Sequence, residues 1–185
     1  MNPADVDSRL AYISFGLAYI LGHGAAALSK GADPLLRLPG WLPIVLLAAG
    51  IVAGMVLSIL ASTRAQRGAT ESRRLAEKLV GTAWATGFIA LFLLITGLSA
   101  VEPALQEVLW PAGSVLVVGM IYLAEGAVRG NTLHYALGTW LAVVASASLL
   151  LGTAGVYGVL AVAGGGAYIV ATLLERRRLV AARSG

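Results

Sequence analysis

Four side chains set in long apolar runs could carry chemistry: His23, Ser99, Glu125 and His134. Ionisable groups are costly in apolar surroundings, so His23, Glu125 and His134 are the first places to look for function. Glu125 and His134 flank Arg129 and the Gly130-Asn131-Thr132 turn, which makes a small polar cluster geometrically reasonable. A carboxylate beside an imidazole can relay a proton or respond to pH near neutrality. The plainer role pairs Glu125 with Arg129 one helical turn away and leaves His134 to cap a helix or reach toward water. His23 lies between Gly22 and Gly24 and follows Tyr12, Gly16 and Tyr19 at spacings of four, three and four. These four share one helical face, either the wall of a cavity or ligand site or a packed aromatic stripe.

Gly97-Leu98-Ser99-Ala100 resembles, over these few positions, the G-x-S setting of the rhomboid protease serine. In that family the histidine follows the serine on a later membrane helix, whereas His23 precedes Ser99. A nucleophile also needs its base within hydrogen-bond reach and donors for the oxyanion. No enzymatic activity is expected. The chain has no cysteine, which excludes thiol catalysis and thiolate metal sites. Gly164-Gly165-Gly166 lies inside an apolar run and reads as close packing rather than a phosphate loop. Neither a metal nor another cofactor is expected.

The elements that must position these residues are helices in a bilayer. Of 185 residues 58% are hydrophobic and 12% charged, with a mean hydropathy of +0.85. Soluble domains carry about twice that share of charge. Six apolar runs, about 10–29, 42–62, 79–100, 111–128, 133–151 and 156–174, each suit one crossing of roughly 20 residues. The fold class expected is all-α, a single six-helix membrane bundle with no soluble domain. Residues 10–22 followed by Ala25-Ala26-Ala27 have the outline of a signal peptide, but Asp5 and Asp7 precede them against Arg9. They read as a retained first span. No proline is expected inside a span, which implies continuous helices and speaks against carriers built on broken ones. Gly50, Gly54 and Ser58 on the second span, and Gly138, Ala142 and Ser146 on the fifth, are small residues a turn apart that would let helices approach closely.

Orientation follows from residues 64–78, a polar island carrying Arg64, Arg67, Arg73, Arg74 and Lys78. With six spans, both termini share its side, and Arg9, Arg129, Arg176, Arg177, Arg178 and Arg183 join the five island cations there. Only Lys30 and Arg37 remain opposite, a bias that puts the island and both termini in the cytoplasm. The island and the Arg176-Arg177-Arg178 run are contacts to anionic lipid first and candidate partner-docking surfaces second. Nucleic acid is not an expected partner; a second copy or another membrane protein is. Few lysines among many Ala, Gly and Arg point to a bacterial inner-membrane protein. The function expected is that of a non-catalytic accessory, regulatory or immunity-type subunit acting by helix contacts. The alternative is a small permease or a substrate-binding transporter subunit for a neutral solute, which the chain resembles in size and helix count.

Overall fold

Six long helices follow the six apolar runs and overshoot most of them. The computed structural model describes residues 7–65 and 70–184, an all-helical chain, 88% helix, with no strand among the described residues. They are α1 (Arg9–Ser29), α2 (Trp41–Ala65), α3 (Glu71–Val101), α4 (Gln106–Arg129), α5 (Thr132–Ser148) and α6 (residues 153–184). α3 starts eight residues before its apolar run, with Thr70 at its N-cap and Glu71 where the helix dipole favours an acid. Five helices are long and apolar enough to cross a membrane. α5, with 17 residues, sits at the short end of the range for a span.

Two expectations about helix continuity need correcting. α1 and α6 are each interrupted by a π-helical turn, Tyr19–His23 and Leu160–Gly164, and the two turns pack against one another. Widening the hydrogen-bond ring to a π-turn leaves a carbonyl without its ordinary helical donor. Trp140 of α5 supplies one from outside, donating its indole N–H to the Ala163 carbonyl at 2.9 Å. Pro111, expected at a helix start, lies inside α4. The helix begins earlier because Pro103–Leu105 forms a 3-10 turn that leads straight into it, with the Glu102 carboxylate accepting the Ala104 N–H. A proline there cannot donate to the carbonyl four residues back. That carbonyl, Glu107 O, instead accepts the Tyr157 hydroxyl of α6 at 3.1 Å. Tyr157→Phe should therefore cost about 1–2 kcal/mol by leaving it unpaired, read as a lower midpoint of thermal unfolding in detergent.

Glycine decides how closely the helices pack. α4 and α5 form a hairpin closed by Gly130, whose φ of +62° supplies the left-handed turn. A Cβ on Gly119 would lie 2.6 Å from Ala142 N, and one on Gly138 2.6 Å from Leu123 N, so backbone meets backbone. Gly50 and Gly54 of α2 sit against Ala18 and the Phe15 ring of α1. Ser58 is half-buried on the same helix. Ser146 does not join the α4–α5 contact: it is exposed and donates to its own helix at Ala142 O. Intrahelical bonding of this kind is a common fate of a helical serine. α1, α4, α5 and α6 make the core, while α2 and α3 are peripheral, with only 6% and 11% of their apolar stretches buried. α2 rests on α1, and α3 rests on α4.

Candidate functional site

At the end of the bundle that holds Arg129, four helices bring polar side chains to one buried network. Glu125 of α4 lies at its centre, 7% exposed. Its Oε1 accepts the indole N–H of Trp84 on α3 at 2.9 Å. Its Oε2 faces Arg129 Nη1 and His134 Nε2 of α5, both at 3.1 Å. Arg129 then spans to Glu77 of α3 with two bonds of 2.9 and 2.6 Å, a bidentate fork. Asn131 caps α5 by accepting the His134 N–H at 3.1 Å, which fixes the position from which the ring projects.

The imidazole links this ion cluster to α1. An ionised carboxylate can only accept, so in the tautomer that donates Nε2–H to Glu125 the Nδ1 atom is left as an acceptor. Nδ1 receives the Tyr12 hydroxyl at 2.7 Å. Carboxylate, imidazole and hydroxyl thus stand in the order that, in an open site, would activate the hydroxyl as a nucleophile. Here Tyr12 is 1% exposed and His134 8%. Two surface depressions, of about 440 and 500 Å³, are lined by other residues. The chain of bonds works as an internal tie between α3, α4, α5 and α1. Its His134 neither snorkels nor simply caps, as the plainer sequence reading had it, but is buried between two partners.

Of the two readings of the Tyr12–His23 stripe, a cavity wall or packed rings, the structure has the packed one. Tyr168 of α6 sits among Phe15, Tyr19, Tyr12 and Tyr122, with ring centroids 5.6, 5.3, 6.2 and 6.4 Å away. Gly16 lets α6 approach: a Cβ there would lie 3.3 Å from Tyr168 Cβ. Gly164 and Gly165 give Tyr19 and Ile20 the same room, whereas Gly166 faces open space. At the far end of the stripe His23 is 3% exposed, stacked edge-on to Tyr19 at 5.0 Å, and its Nδ1 has no hydrogen-bond partner. Ser99 Oγ is likewise buried without one, so no Ser99–His23 pair exists. α3 packs chiefly on α4 and α1 on α2 and α6, which keeps the two apart.

The chain matches no known family, no curated protein and no solved structure.

Beyond the expected residues, the network recruits Glu77 and Trp84, and Tyr122, Tyr168 and Glu175 are buried in the same core. Glu77 and Trp84 are seven apart and so share a face of α3, a spacing that the sequence displays. Glu175 is fully buried, gripped by Arg178 with two 2.8 Å bonds, and accepts the Ser8 N–H of the first helix at 3.4 Å. A carboxylate at a helix N-terminus complements its unpaired N–H groups and dipole. Arg178 is therefore not a free docking residue, whereas Arg176, Arg177, Arg64, Arg74 and Lys78 are exposed. Arg67 lies outside the described residues, as does the side chain of Arg73.

Proposed function

We propose that this chain is a non-catalytic, multi-pass protein of a bacterial cytoplasmic membrane that serves a partner by helix contact through α2 and α3. The observation that carries the proposal is the closed interior. The Glu125 network is satisfied within the chain, and rings fill the Tyr12 stripe where a solute would have to bind. That filling weighs against the permease alternative. What remains for function is outer surface, and α2 and α3 are the helices that expose most of their own length, since their apolar stretches are far less buried than the 33–44% of α1, α4 and α6. Cation bias supports a reading with both ends of the chain inside the cell: Arg64, Arg74, Lys78, Arg129, Arg176 and Arg177 belong to one end of the bundle, and Lys30 and Arg37 to the other. Trp41 and Trp110 fall at the second end, as an interfacial belt would have it.

A photo-crosslinking residue placed at Val52 or at Leu93, both exposed, tests the proposal in living cells. The expected result is one protein adduct of the same mass from both positions. An adduct of twice the chain's own mass would make a second copy the partner. Crosslinks to lipid alone from both helices would sink the accessory reading. A reporter fused to the carboxyl end should be active only in the cytoplasm.

A further inference from the structure

Two shallow depressions lie along α6. The first, about 440 Å³, lies between α5 and α6 over Trp140, Ala163, Gly166, Val170 and Leu174. The second, about 500 Å³, takes over at Leu173 and continues past Arg176 and Arg177 to Val180. Gly166, Val170, Leu173 and Arg177 follow one another at spacings of four, three and four, so one stripe of α6 links the two depressions, with Arg176 beside it. We infer that this track is a binding site for one anionic glycerophospholipid, with an acyl chain in the groove and its phosphate on Arg176 and Arg177. The inference rests on the membrane reading above.

Three features of the track select that occupant. The floor is open: a Cβ on Gly166 would meet nothing within 4 Å, and the lining is aliphatic or small. Trp140, the lining residue with an N–H, has it committed to Ala163 O, so the groove presents no free side-chain donor to a polar ligand. The length fits one leaflet. Val162 to Leu174 spans about 18 Å at the helical rise, against roughly 15 Å for half of a bilayer's hydrocarbon core. The charge comes where the apolar track ends. Arg176 and Arg177 are exposed and in no ion pair with a described carboxylate, while Arg178 is spent on Glu175. A phosphate at headgroup depth would complete them.

The test uses the full chain reconstituted into vesicles of equal phosphatidylcholine and phosphatidylglycerol, extracted in mild detergent and weighed by native mass spectrometry. One phosphatidylglycerol per chain should survive extraction in preference to phosphatidylcholine. The double variant R176Q/R177Q should lose roughly 25-fold in that preference, about fivefold per cation. Gly166→Leu, which fills the groove without touching the fold, should lose retention of both lipids. Equal retention of the two lipids by the natural chain, unchanged binding in G166L, or a co-purified polypeptide in place of lipid would overturn the inference. A chain that never enters the vesicles would instead overturn the membrane reading, and one that enters but retains nothing would overturn only the lipid site.

Discussion

Replacing Glu125 with alanine is expected to destabilise the bundle by about 3–5 kcal/mol, the usual cost of removing one partner from a buried charge pair. The change strands three donors at once. Trp84 Nε1, Arg129 Nη1 and His134 Nε2 all lose the acceptor they share. Thermal unfolding in detergent, followed by tryptophan emission, should show the largest shift of any single polar substitution at this end. Glu125→Gln should fall between, because its carbonyl oxygen keeps one neutral bond while the charge opposite Arg129 is lost. Tyr12→Phe and His134→Ala should be non-additive with each other, since they share one bond of 2.7 Å. A Glu125→Ala chain as stable as the natural one would mean that the network contributes nothing.

The second large effect is expected at the α4–α5 hairpin. In Gly138→Val the first added carbon already lies 2.6 Å from Leu123 N and 2.7 Å from Gly119 O. Both obstacles are backbone, so no rotamer relieves the clash and the two helices must part. Overpacking typically costs 1–3 kcal/mol when side chains can yield, and about 3 kcal/mol or more is expected here. Gly119→Val should do the same, and the pair together should cost less than the sum because one separation relieves both clashes. Size-exclusion profiles and unfolding midpoints report the outcome. Gly166→Ala, with open space around it, is the matched control and should change neither.

How much of this could be read from residue order depends on distance along the chain. Glu125, Arg129 and His134 lie within ten residues of each other across one tight turn, so local geometry alone gathers them. Asn131 as a cap follows from the same locality. The partners from α3 come from 41 and 52 residues away. Nothing in a helix's own periodicity says which neighbour it will face, so Glu77 and Trp84 stayed hidden despite sharing a face. The Tyr12–His23 stripe was visible as a period, but a period cannot tell a cavity wall from a contact. Only the placement of Tyr168 on α6 decides that. Glu175 is hidden for a different reason: it stands just beyond the sixth apolar run, 156–174, and directly before three arginines. The helix runs past it and buries it. The π-turns have no sequence signature as simple as proline, and the Gly164 triplet shows the close approach without the altered winding.

The Glu175 contact with Ser8 joins residues 167 positions apart, and this bears on synthesis. During translation α1 leaves the ribosome first, with Tyr12, Tyr19 and His23 facing nothing that they will finally touch on α6. Its docking must wait until the last helix is made, because contacts so far apart in the chain cannot form earlier. A nascent chain stalled anywhere before residue 153 would therefore hold an unclosed bundle, recognisable to quality-control proteases by its bare aromatic seam.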